Sequence, residues 1–73
     1  MNYIYKISVE EADWDEFFSF VVVAKNKKGI YDEIRNYCRY YRDLPFLKKE
    51  HIIKRIGITT LRPQIIDESF NAG

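Results

Sequence analysis

At 73 residues the chain allows one domain, and a domain this small buries only a modest fraction of its surface. A single cysteine, Cys38, and a single histidine, His51, exclude an intrachain disulfide and a four-ligand zinc site. The formal net charge of +1 excludes a strongly basic domain.

What remains to stabilise such a chain is aromatic packing or a second chain. Six Tyr, five Phe and one Trp are available, and each can bury on the order of 150–250 Å². A lone unpaired Cys points to a reducing compartment. Met1-Asn2-Tyr3-Ile4-Tyr5-Lys6 lacks the basic segment and long apolar run of a signal peptide. No apolar stretch approaches the roughly 20 residues of a membrane span. The expectation is a cytoplasmic protein. The charges segregate along the chain. Residues 1–24 carry Glu10, Glu11, Asp13, Asp15 and Glu16 against Lys6, a balance of −4. Residues 25–55 carry ten Lys/Arg against Asp32, Glu33, Asp43 and Glu50, a balance of +6. Such a division fits two faces of opposite sign.

In chain order, Tyr3 to Val9 alternates, with Tyr3, Tyr5, Ile7 and Val9 on one side and Ile4, Lys6 and Ser8 on the other. This predicts a strand with one buried face. An acidic connector, Glu10 to Glu16, surrounds Trp14. Phe17 to Lys25 predicts a second strand, with Phe18, Phe20, Val22 and Ala24 on one face and Phe17, Ser19, Val21 and Val23 on the other. Because both faces are largely apolar, this strand should be central or covered on both sides.

Asn26 can cap a helix, since its side-chain oxygen can accept a free N–H of the first turn. Ile30, Ile34, Tyr37 and Tyr41 then recur at helical spacing, with Cys38 on the flank. Leu44 precedes Pro45, which disfavours helix at Leu44, so the helix should stop near Asp43. Gly29 weakens its start by up to about 1 kcal/mol. Leu44 to Glu50 predicts a loop whose Phe46 and Leu47 fold back onto the core. His51 to Thr60 predicts a third strand, with Ile52, Ile56 and Ile58 able to share a face that Lys54 interrupts; Gly57 fits a bulge or a close backbone approach. A turn over 61–64 and a short last strand, Ile65 to Phe70, complete the order. The expected fold is α+β, β-β-α-β-β, an antiparallel sheet with one helix packed on one face.

Three constellations could carry function. The carboxylates Glu10, Glu11, Asp13, Asp15 and Glu16 sit in a connector expected to be solvated, where a raised carboxyl pKa is hard to obtain. Their spacing lacks the glycine and distal Glu of a calcium loop. They can form an anionic, protein-facing patch, or imitate nucleic-acid phosphates in a basic groove of another protein. Trp14 would be its anchor, Trp being favoured at interface centres; the plain alternative is a ring folded over the sheet edge. Second, Arg35, Arg39 and Arg42 fall on the helix face opposite the apolar stripe. Tyr31 lies one turn earlier, and Lys48, Lys49, Lys54 and Arg55 extend the set. Guanidinium groups pair with phosphates, and aromatics among basic residues suit single-stranded nucleic acid; Asp32 and Glu33 dilute the stripe. Third, Cys38 with His51 is the candidate nucleophile and base, and a free Cys on an apolar margin commonly acts as a small hydrophobe. No Gly-rich phosphate loop exists, and the expectation is not an enzyme, with no cofactor and no metal.

Trp14-Asp15-Glu16 leads into Phe20-Val21-Val22-Val23-Ala24-Lys25-Asn26, and Ile56-Gly57 and Ser69-Phe70-Asn71-Ala72-Gly73 follow later. Together these resemble a group of small uncharacterised proteins of bacteriophages and other mobile elements. In that group an acidic Trp-containing loop precedes a Val-rich strand and helix, and the chain ends in a Ser-Phe-Asn-Ala-Gly-like tail. The chain departs from the group at the helix start, where Lys27-Lys28-Gly29-Ile30 stands in place of a Glu- and Ala/Arg-rich turn. The resemblance implies a phage-type accessory protein that binds a host protein, such as a defence component, and blocks or redirects it. A nucleic-acid-binding accessory protein using the basic helix face is the alternative. A homodimer covering the second face of the second strand is a further possibility.

Overall fold

The computed structural model describes residues 1–39 and 44–71. It is an α+β fold with a single sheet. Strand β1 (Asn2–Ser8) and strand β2 (Glu16–Ala24) form the centre, and strands β3 (Ile52–Thr59) and β4 (Gln64–Asn71) form the edges. The order is β3-β1-β2-β4, with every neighbouring pair antiparallel. Helix α1 (Lys27–Tyr37) and the one-turn helix α2 (Pro45–Lys48) fill the connection between β2 and β3. The order is therefore the expected one with a single helical turn added, and the strand apolar on both sides is indeed central.

The front face carries the core. Tyr5 and Ile7 of β1 sit opposite Val22 and Phe20 of β2, and all four are buried with Ala24, Ile30, Ile34, Cys38 and Phe46 in one cluster. Phe20, Phe46, Ile7, Ile30 and Ile34 are among the largest fully buried side chains, each stabilising the fold by roughly 1.5–3 kcal/mol. Phe46 meets Phe20 edge to face at 5.0 Å, so the segment after Pro45 does fold back onto the core.

Helix α1 begins as its sequence requires. Asn26 is extended, and its Oδ1 accepts from the Gly29 N–H at 2.9 Å. Gly29 has a packing reason as well, because a Cβ there would lie 3.3 Å from the Ala24 Cβ. The helix closes at Tyr37, where the Cys38 N–H bonds the Ile34 carbonyl at 2.9 Å. The expected continuation past Tyr37 is therefore not made in the described residues. Tyr41, Arg42 and Asp43 lie outside the described residues, as do Ala72 and Gly73. The buried stripe is Ile30, Ile34 and Cys38, whereas Tyr37 is 52% exposed and is not part of it. Its ring touches Phe20 only at an edge, at 6.4 Å.

Three strand bulges shift the expected faces. Phe17 pairs with Phe70 and Ser19 with Ser69, leaving Phe18 as the extra residue. Phe17 therefore joins the core, while Phe18 is 42% exposed. A single inserted residue reverses every assignment before it, which is why simple alternation placed Phe18 inside. In β3 the extra residue is Ile56, between Arg55 opposite Tyr5 and Gly57 opposite Ile4. Ile52 then shares a face with Ser8, and Ile58 shares the other face with Tyr3, so Ile52, Ile56 and Ile58 do not form one buried row. Ile53 supplies the core contact instead. The third bulge places Ile66 between Ile65 and Asp67 in β4.

The segment after β3 is a crossing and not a hairpin turn. Residues 60–63 connect the two opposite edges of the sheet, a separation of three strand spacings, about 14 Å. Five Cα steps reach about 17 Å when extended, enough to span it. It runs past the start of β1, where the Asn2 side-chain amide donates to the Leu61 carbonyl at 2.9 Å.

Candidate functional site

The acidic connector lies at the end of the sheet where β1 stops and β2 begins, and it is built as a fixed loop. Asp13 to Glu16 closes a turn in which the Glu16 N–H bonds the Asp13 carbonyl at 3.2 Å. The Glu16 carboxylate in return accepts the Asp13 N–H at 3.0 Å. Asp15 takes the left-handed conformation, φ 61°, that the turn needs; Asp tolerates it better than most residues. The last described residue, Asn71, binds the loop from β4. Its backbone carbonyl accepts from the Asp15 N–H at 2.7 Å, and its side-chain amide donates to the carbonyls of Ala12 and Asp13 at 2.8 and 3.2 Å.

From the other side Lys49, between α2 and β3, reaches into the same loop. Its ammonium lies 2.6 Å from Glu16 Oε1 and 2.9 Å from the Glu11 carbonyl. The Lys49 ammonium, and secondarily the Asp13 N–H, hold the Glu16 carboxyl below its ordinary value. Glu16 is thus a structural residue, half enclosed under the turn. Trp14 sits at the apex and is 70% exposed; it is not folded over the sheet edge. Glu10, Glu11, Asp13 and Asp15 are exposed around it.

Beside the turn lies an open cleft of about 550 Å³ between the connector and the segment entering β3. Glu10, Glu11, Asp13 and Glu50 line it together with Lys49 and His51. Since Lys49 is held by Glu16, the carboxylates set the sign of the local field, which is negative. Glu50 belongs to this cleft although its neighbours in sequence are basic. Nothing in the local pattern marks it, because only the return of the chain after α2 brings it to the acidic end. Among the described residues no group of three or more His, Cys, Asp or Glu is placed to hold a metal ion.

His51 is held on the inner wall. Its Nε2 lies 2.6 Å from the Phe46 carbonyl, which can only accept, so Nε2 carries a hydrogen. In the neutral ring Nδ1 then accepts from the Tyr31 hydroxyl at 3.4 Å. The imidazole also packs on the Phe46 ring at 5.0 Å. Cys38 is buried beneath α1 at 3% exposure, and burial pushes its thiol up to about 11. A protonated, enclosed thiol and an imidazole with both nitrogens engaged do not form a nucleophile and its base.

The residues of the basic set are scattered. Tyr31 packs against the core cluster instead of sharing the Arg face. Arg35 pairs with Asp32 at 3.4 Å, and Asp32 also takes Lys28 at 3.1 Å. Lys49 belongs to the acidic end. Arg39 and Lys48 are exposed, and Arg42 lies outside the described residues. Of the extension, Arg55 lies over the Tyr3 ring at 4.7 Å and Lys54 faces away from the helices beside Lys6. No continuous basic stripe joins these groups within the described residues.

No protein-family model matches the chain, and neither does any curated protein or solved structure. Among the described residues, no helix is long and apolar enough to cross a membrane.

Proposed function

We propose that the protein acts by binding another protein through the Trp14 turn and the carboxylate-lined cleft beside it. The partner surface is basic, with an apolar recess for the indole and a Lys or Arg side chain for the cleft. The observation that carries this reading is the exposure of Trp14 on a turn tied from both sides. A solvent-facing indole on a turn fixed by seven hydrogen bonds costs little backbone entropy on binding. Trp is also the residue type most favoured as an interface anchor. The surrounding Glu10, Glu11, Asp13 and Asp15 steer a cationic partner and reject anionic ones. Binding without bond-making chemistry accords with an engaged His51 and an enclosed Cys38. Following the sequence resemblance, the protein is a phage-type accessory factor, and its target is a host protein such as a component of a defence system.

The test is capture from a bacterial host lysate on immobilised full-length protein. A specific partner is expected on the wild type and is lost with Trp14→Ala and with the triple reversal Glu11→Lys, Asp13→Lys, Asp15→Lys. Capture that survives both changes sinks the assignment to this end of the sheet. The nucleic-acid alternative has its own readout: a gel shift at low salt that weakens steeply as salt rises.

A further inference from the structure

We infer that the two edges of the sheet are complementary halves of one interface, and that β4 of one copy of this chain pairs with β3 of the next, antiparallel and head to tail. The back of the sheet offers no such surface, because Val23 at its centre is fully buried and Ser19 nearly so. The edges are different. β3 and β4 each have a strand neighbour on one side only, and a strand edge presents unpaired N–H and C=O groups. β3 runs against β1, β1 against β2 and β2 against β4. β3 and β4 therefore run in opposite directions. A copy set beside the first in the same orientation continues the alternation, with its helices on the same face.

The register of the two edges matches. On β3, Lys54 to Gly57 takes three residue steps where β1 takes two, from Lys6 to Ile4. On β4, Asp67 to Gln64 takes three steps where β2 takes two, from Val21 to Val23. These are the same rows of the sheet, since Lys6 lies opposite Val21 and Ile4 opposite Val23. Each edge thus carries one inserted residue, Ile56 or Ile66, over the same stretch. Against its own neighbour each insertion is a bulge. Against each other the two edges are equal in length. The ladder between copies then runs unbroken from Ser69 opposite Ile52, through Asp67 opposite Lys54, to Gln64 opposite Gly57. A bulge ordinarily guards an edge from foreign strands. Matched bulges keep that guard against other strands and remove it for this one.

Charge selects the same pairing. Lys54, Arg55, Asp67 and Glu68 are all exposed. Within one molecule Lys54 stands opposite Lys6, an unfavourable arrangement for like charges. Asp67 of the same molecule is three strands away from Lys54, about 14 Å. In the pairing between copies Asp67 faces Lys54 directly on the back of the sheet. Glu68 lies diagonal to Arg55 on the helix side, within reach of long side chains. The exposed Ile56 and Ile66 come into neighbouring pairs. Like edges repel, since the charges of β3 are cations and those of β4 are anions.

A contact between unlike surfaces does not close on itself as a dimer. At about 20–25° of twist per strand, four strands set each copy about a quarter-turn from the last, and the row of copies grows as an open helix. One strand pair falls well below the roughly 1,200 Å² of a stable interface, so the association is weak. It does not use the Trp14 turn and stands apart from the function proposed above.

Sedimentation velocity of the full chain tests it, over about 5 µM to 1 mM, at low and at high salt. The expected result is an average mass that keeps rising with concentration past that of a dimer and falls with salt. Lys54→Glu and Asp67→Lys each weaken association by about fivefold, because each sets like charges opposite one another. The exchange K54E/D67K restores it, and so does an equimolar mixture of the two single variants. A wild type that stays monomeric at the highest concentration in low salt overturns the proposal, as does one whose mass levels off at a dimer. Single reversals that change nothing overturn it too, as does an exchange that fails to recover association. If a reversed variant does not fold, concentration-dependent amide shifts of the wild type decide instead. Shifts on both edges, Ile52 to Gly57 and Gln64 to Ser69, support the contact; shifts on one edge alone, or elsewhere, sink it.

Discussion

Lys49 and Glu16 are 33 positions apart in sequence and meet at 2.6 Å beneath the Trp14 turn. This contact joins the segment between α2 and β3 to the loop between β1 and β2. It ties the net-acidic part of the chain to the net-basic part.

The pair sets an acid dependence of stability. The Glu16 carboxyl is held below 4.5 in the folded protein, first by Lys49. The unfolded chain therefore binds the proton at a higher pH than the folded one. The contribution is complete above about pH 4.5 and is lost as pH falls through the depressed value. Urea denaturation from pH 7 down to pH 2.5 should show a steeper loss for the wild type than for Lys49→Met. Parallel curves would mean that the ammonium does not hold Glu16.

At Asp15 the backbone, and not the carboxylate, is the constraint, because φ is 61°. A β-branched residue there should lose about 1–2 kcal/mol, so Asp15→Val is expected to be clearly less stable. Asp15→Gly should be at least as stable as the wild type. Thermal unfolding distinguishes the cases, and an equal loss in both variants would assign the effect to the side chain.

Cys38 should be inert in the folded protein. With the thiol pushed up from 9.0 to about 11 and 3% exposed, the thiolate at pH 8 amounts to about a thousandth of the population. An aromatic disulfide reagent should label it only as fast as the protein opens, and fully in denaturant. The same shift has a stability sign. Its contribution is complete below about pH 9.0 and is lost as pH rises toward about 11. Cys38→Ala should flatten that alkaline limb. Rapid native labelling at pH 8 would contradict the enclosed position.

The crossing between β3 and β4 is predicted to be sensitive to length in one direction only. Deleting Arg62 leaves four Cα steps, about 14 Å of reach, for a gap of about the same size. The deletion should unfold the chain or detach β4. Inserting one glycine at the same place should cost well under 1 kcal/mol. Circular dichroism and denaturant midpoints of the two variants check this, and equal tolerance of both would show that the edges lie closer than the strand spacing implies.

Several elements were legible from local pattern alone. The alternation of Tyr3 to Val9, the doubly apolar Phe17 to Ala24, and the Asn26 cap before Ile30 and Ile34 are short-range signals. Each reflects a backbone period or a single hydrogen bond, and each survives folding unchanged. The bulge at Ile56 was signalled by the adjoining Gly57 and by Lys54 breaking the isoleucine face; the bulges at Phe18 and Ile66 were not legible in the same way. An inserted residue alters nothing in composition and only changes which neighbour it faces. The helix end illustrates the same limit: Tyr37 fits the spacing as well as Cys38 does, and the fold buries Cys38.

The sequence by itself determined the α+β class, the central place of β2, the acidic character of the Trp14 loop and the lack of residues for a disulfide or zinc staple. These depend on residue type and on spacing within one element. Only the tertiary structure decided that β3 and β4 lie on opposite edges, that Glu50 joins the acidic cleft, that Lys49 is spent on Glu16, and that Lys6 and Lys54 stand side by side. Each of these is a meeting of residues from different elements. It depends on how the chain returns through space, which no local period encodes.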